Sequence, residues 1–280
     1  MRRILAAVAA IAMVAGGFLV RRGLNNPERG KAPLRLWCVP EAALACNELP
    51  GARTGRVVVT VDSPANFESR LKSMDPQALS VDAIVTDPWW IDRAKPLPPA
   101  VANTTPLAAS AIVVAQREGD ANCEGDIRCL TDRKASIPAI DAGITGPLAA
   151  ASLFVITKAD PANPDSDVVR ANAHLLVELM KPIADGITPL QGLTSLKLLD
   201  AVVLSAAEFK QAAPAGVVSR PLRPPTEIRL TLAAYVADAR LATLAEDLRA
   251  QLLRTGWQTP GAPRTSPSNV LLNEVYKVVR

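Results

Sequence analysis

RVVVTVDSPANFESRLKSMDPQALSVDAIVTDPWW, residues 56–90, decides the fold class. The run Arg56–Val61 is β-branched and apolar, the composition of a strand buried in a parallel sheet. It passes directly into Asp62-Ser63-Pro64, where Ser63 suits an N-cap and Pro64 the first helical position. A helix is therefore expected through Phe67, Leu71 and Met74. Val81–Thr86 is a further apolar strand, ending in Asp87-Pro88-Trp89-Trp90. Strand, helix and strand in that order mark the alternation of an α/β layer.

The flanks continue the pattern. Upstream, LRLWCVP (Leu34–Pro40) reads as a first strand stopped by Pro40, and Glu41–Glu48 as a short helix. Downstream, Ala108–Gln116 is a long strand, Ala135–Ile140 another, and Gly143–Phe154 a loop leading into a helix. Asp167–Met180 is a helix, Asp200–Leu204 a strand, and Leu222–Val236 extended despite Pro224 and Pro225. Asp238–Thr255 is a helix with leucines 241, 244, 248 and 252 on one face and Gly256 just past its end. A parallel sheet with helical crossovers is the expected fold class.

At 280 residues, 49% hydrophobic and 21% charged, the chain can bury a core and is not of disordered composition. The formal charge of +4 would fit nucleic acid, but its location does not. Residues 1–31 carry a net +5, which leaves −1 for the rest. No nucleic-acid partner is expected.

Residues 4–20 are uncharged and apolar, bracketed by Arg2-Arg3 and Arg21-Arg22. As a helix they rise roughly 25 Å, at the short end for a hydrocarbon core of about 30 Å. An uncleaved transmembrane anchor is the expectation, and a cleaved signal peptide the alternative. The small-x-small site Ala10-Ile11-Ala12 comes early, with eight apolar residues still to follow. The charges on the two flanks do not set the orientation. The cysteines do: Cys38 with Cys46 and Cys123 with Cys129 form two local pairs, as disulfides do in an oxidising compartment. Free thiols and zinc are the alternatives; neither spacing is that of a zinc site, and the sole histidine, His174, is remote. The main domain is therefore expected outside the cytoplasm, on a single-pass cell-membrane anchor.

His174 faces away from the apolar stripe of its helix, and no G-x-S-x-G elbow occurs, so hydrolase triads are not expected. Phosphate-loop and dinucleotide motifs are absent from the sequence. No catalytic residue, metal or cofactor is expected. What remains are strand ends that lead small polar residues into helix starts, where free N–H groups suit an anion. Ser63 can donate to a ligand or merely cap its helix. Asp87 can accept from a ligand covered by Trp89 or Trp90, or serve as a turn residue beside core tryptophans. Thr145, with Gly143 and Gly146 admitting close approach, makes an anion cradle or an ordinary turn.

In order, LRLWCVP, VVVTVDSPANFESRL, DAIVTDPWWIDRA, TTPLAASAIVVAQREG, SIPAIDAGITGPLAAASLF, DAVVLSAAEF and LAEDLRAQLLRTGW resemble the type 2 periplasmic (extracellular solute-) binding protein family, over residues 33–258. The resemblance implies two α/β lobes clamping a ligand. Residues 1–32 would form a cytoplasmic stub, the anchor and a tether. Residues 33–107 with 206–258 would form lobe one, 108–205 lobe two and 259–280 a tail. Carried over by position, ligand contacts fall at Ser63, Asp87, Trp89, Ser110, Thr145 and Ser205. The chain departs from the family in lacking a lipobox, in its small size and in an Asp62-Ser63 loop that is not Gly-Ser-rich. The implied function is an anchored extracytoplasmic solute-binding protein, taking a small polar or anionic solute for an ABC-type transporter or a sensor. The alternative is a ligand-free scaffold docking another envelope protein. Solute binding predicts stabilisation of about 2.7 kcal/mol at 100 times Kd.

Overall fold

The computed structural model describes residues 32–73, 75, 78, 80–93, 103–120, 123–156, 178–180, 188–261 and 269–279. The expected anchor (4–20), His174 and most of the Asp167–Met180 helix lie outside the described residues. Among those described, no helix is long and apolar enough to cross a membrane.

The elements in chain order are β1 (Leu34–Cys38), α1 (Ala43–Asn47), α2 (Pro50–Arg53), β2 (Val57–Val61), α3 (Pro64–Lys72), β3 (Ala83–Thr86), α4 (Pro88–Arg93) and β4 (Asn103–Arg117). They continue as β5 (Ala135–Ser136), α5 (Thr145–Ile156), α6 (Pro189–Thr194), β6 (Ala201–Ser205), α7 (Ala206–Ala212), β7 (Val217–Pro221), β8 (Glu227–Ala234), α8 (Arg240–Arg254) and α9 (Asn269–Val279). A single 3₁₀ turn, Pro40–Ala42, joins β1 to α1.

The sheet runs β2-β1-β3-β8-β4-β6-β5, with β7 also on β4. β1 pairs in parallel with β2 and β3, and β5 with β6, as a βαβ reading requires. β8, β4 and β7 run antiparallel to their neighbours, so the sheet is mixed rather than parallel throughout. β4 is the shared element. Asn103–Ala111 pairs with β8, and from Ile112 onward the strand pairs with β6 and β7. β7 thus lies beside the part of β4 that leads to residues 123–156.

Alternation along β4 feeds two cores. Ile112 and Val114 join the main one, while Val113 and Ala115 join a smaller cluster with Leu193, Leu199, Val202 and Leu204. The leucine stripe of α8 is buried as its period demands, and Gly256 closes that helix at φ +95°. β2 departs from expectation. It is the outermost strand, so Val58 and Val61 stand exposed despite their buried-strand composition.

The cysteines form Cys38–Cys46 and Cys123–Cys129 disulfides. The first staples the end of β1 to α1 and encloses the 3₁₀ turn that carries Glu41.

Candidate functional site

The carboxyl ends of β2, β1 and β3 lie side by side and lead into Ser63, Glu41 and Asp87. Ser63 Oγ accepts from the Asn66 N–H at 3.2 Å, the bond of a helix cap. Asp62 supports it, with Oδ1 accepting from the Ser63 N–H at 2.7 Å and the Asn66 amide at 2.9 Å.

Asp87 is buried, and both its oxygens are taken by backbone donors. Oδ1 accepts from the Trp89 N–H at 2.9 Å and Oδ2 from the Arg229 N–H at 3.1 Å, which ties β3 to β8. Burial pushes its carboxyl up to about 6, against the lowering effect of those N–H groups and the Arg229 charge. Trp89 and Trp90 are core residues. Trp89 meets Tyr276 of α9 edge-on at 6.2 Å, and Trp90 sits 6.0 Å from Phe67.

Ser110 and Ser205 meet at the start of α7. Ser110 Oγ accepts from the Ala207 N–H at 3.0 Å and Ser205 Oγ from the Glu208 N–H at 3.1 Å. Glu208 returns the bond to the Ser205 N–H, completing a capping box.

Thr145 opens α5, a helix of 12 residues, at the position read as an anion cradle or an ordinary turn. That position is filled from within the chain. Glu41 Oε1 accepts from the Ile144 N–H at 2.6 Å, the Thr145 N–H at 2.8 Å and the Thr145 hydroxyl at 3.1 Å. Glu41 is 8% exposed, and its Oε2 is buried with no hydrogen-bond partner among the described residues. Burial, and then the Glu208 charge, push its carboxyl above the ordinary range; the backbone N–H groups of Thr145, Glu41 itself and Ile144 act the other way. Gly143 leaves room for this carboxylate, since an added Cβ would lie 2.8 Å from Glu41 Cδ. Sequence reasoning missed Glu41. Its only local signal was an acid just after a strand-ending proline, because the helix it serves starts 104 residues later.

The structure therefore joins Thr145 to Glu41 and places Ser110 and Ser205 together at the start of α7, while Ser63, Glu41 and Asp87 follow three adjacent strand ends. Thr86 Oγ1 and the indole N–H groups of Trp89 and Trp90, at the end of β3, are buried without partners among the described residues. A hollow of about 580 Å³ opens at the amino ends of β1 and β2, lined by Pro33, Thr54, Arg56, Arg240 and Asp247 among others. Among the described residues no cluster of His, Cys, Asp and Glu could hold a metal.

The architecture is the type 2 periplasmic-binding-protein-like fold. The chain is similar to a periplasmic thiamin-binding protein (TM-score 0.56, 12% identity, 89% of this chain and 96% of that one). It is also similar to the periplasmic molybdate-binding protein of Azotobacter vinelandii (TM-score 0.52, 15% identity, 81% and 100%). A hydrogen-peroxide-bound OxyR mutant from Corynebacterium glutamicum matches at TM-score 0.51 and 12% identity, over 91% of this chain and 74% of that one. No protein-family model matches the chain, and no curated protein matches it in sequence. At these identities the likeness is one of fold.

Proposed function

We propose that the chain is a membrane-tethered extracytoplasmic domain of binding-protein shape that is closed on itself and works as a sensor or docking scaffold of the cell envelope. One observation carries this reading: the anion position at the start of α5 holds Glu41. A buried carboxylate repels a second anion and blocks the donors it already uses. Two further links support closure. The Ser152 and Thr226 hydroxyls meet at 2.6 Å, tying α5 to the approach of β8. Helix α9 packs on α5 and reaches α4, where the Arg93 guanidinium lies 4.1 Å from the Tyr276 ring centre. The apolar segment 4–20 supplies the membrane tether, and the two disulfides fit an oxidising compartment.

The second reading is the solute-binding protein for a small polar or anionic solute, delivered to an ABC-type transporter. It is favoured by the unpartnered Thr86 hydroxyl and tryptophan N–H groups, which a ligand with acceptor oxygens would satisfy, and by the solute-binding proteins among the similar structures. For an anion it requires Glu41 to leave its seat.

A thermal-unfolding screen of the wild-type protein from about residue 30 decides between them. Anions, amino acids, thiamin-like cations and sugars are each tested at millimolar concentration. The closed scaffold gives no shift with any of them. A saturable rise approaching about 2.7 kcal/mol at 100 times Kd establishes solute binding instead.

A further inference from the structure

We propose that the start of α5 is a carboxylate seat and that Glu41 is its built-in occupant, a tethered side chain standing where a free carboxylate would bind. This deepens the closed-scaffold reading, and rests on it for the seat being filled in the resting protein. Three donors converge on one Glu41 oxygen, two of them main-chain N–H groups at the positive end of a 12-residue helix. The occupant comes from a part of the chain 104 residues away, on the turn after β1, rather than from the residues that precede the helix. By contrast Ser63, Thr188 and Ser205 cap their own helices across three residues. The seat is also shaped for its occupant, because Gly143 lacks the Cβ that would overlap the carboxyl group.

The fit is incomplete, and this points to an exchangeable ligand. Glu41 Oε2 is buried and unpartnered among the described residues, and Glu208 bears on the same carboxyl with like charge. A tethered carboxylate holds one oxygen in the seat and cannot turn the other to a donor. A free carboxylate is not bound by that geometry. The seat thus selects a monocarboxylate or small oxyanion presenting one oxygen to two adjacent main-chain N–H groups and a threonine hydroxyl.

Glu41→Ala tests this directly, because the atoms removed are those of acetate. The variant should unfold several degrees below wild type. Sodium acetate at 0.1 M should restore much of that loss, saturably, while equal sodium chloride and neutral acetamide should not. Wild type, its seat filled, should not respond. Adding Gly143→Ala to Glu41→Ala places a methyl group in the seat and should abolish the rescue. Should Glu41→Ala not fold unaided, the soluble yield on refolding in acetate is compared with that in chloride. A several-fold higher yield in acetate supports the seat, and equal yields overturn it. Rescue no greater than chloride gives, or equal rescue in the double variant, also overturns it. Failure of the closed-scaffold reading appears separately, as a solute shift in wild type.

Discussion

Asp87 carries a pH dependence whose sign follows from its burial. Its folded-state carboxyl is pushed up to about 6 from an ordinary 3.8, so the folded chain holds the proton more tightly than the unfolded one. The associated stability is complete below about pH 4 and is lost as pH rises through about 6. The upward shift of Glu41 adds a loss of the same sign. The Asp87 share is about 3 kcal/mol at most. Denaturant unfolding between pH 4 and 7 should show wild type losing stability as pH rises, and Asp87→Asn losing markedly less. Equal slopes would remove Asp87 from the account. The level of the Asn variant is not the readout, since its amide N–H₂ would face a main-chain donor. Of these residues, Ser63 and Pro64 were legible because a helix cap is written within three positions. Thr145 and Gly143 drew notice as a hydroxyl and a glycine at a helix start, but the partner of Thr145 is the distant Glu41 and not its own helix. Glu41 was not legible, since no local pattern states which distant helix start a carboxylate will reach.

Among the elements, α9 makes the sharpest prediction. Leu271, Leu272, Val275 and Tyr276 are buried, and Tyr276 touches both Trp89 and Arg93. Tyr276→Ala should cost about 3 kcal/mol, as large-to-small changes at buried aromatic sites do. Lys277→Ala, which loses only an exposed pairing with Glu274, should stay within about 0.5 kcal/mol. Urea midpoints of the two variants test the contrast, and similar losses would mean that α9 does not brace the fold. Helix α8 was legible from its leucine period alone. The burial of β2 was not: a run of valines and threonine reports strand propensity, whereas its place at the sheet edge depends on where β1 and β3 lie. The antiparallel course of β8 was hidden similarly, because strand direction is set by connections rather than by the strand's own residues.

At the scale of the whole molecule, the order of elements was the legible quantity, and it was enough to point to the fold. Short degenerate segments say little singly, but their sequence of strand ends and helix starts restricts the topologies that remain. The polar satisfaction of the strand ends and helix starts was not legible, since it depends on pairs such as Ser110 with Ala207 that lie far apart in the chain. The covalent frame yields a prediction at this scale. The disulfides span separations of 8 and 6 residues, so removing either pair by double serine substitution should cost about 2–3 kcal/mol. Alkylation of the native protein should label no cysteine until a reductant is added, and labelling without reductant would contradict the pairing.

The long-range course of β8 and α9 also fixes the order in which the fold can be completed during synthesis. β3 ends at Thr86, yet its second neighbour is β8, which begins at Glu227, and the brace residue Tyr276 comes later still. At 5–20 residues per second, roughly 10–40 s separate the emergence of Thr86 from that of Tyr276. For that interval the apolar edge of β3 has no strand to pair with on that side, and Trp89 lacks its Tyr276 cover. The nascent chain is thus held in an incomplete state by its own topology.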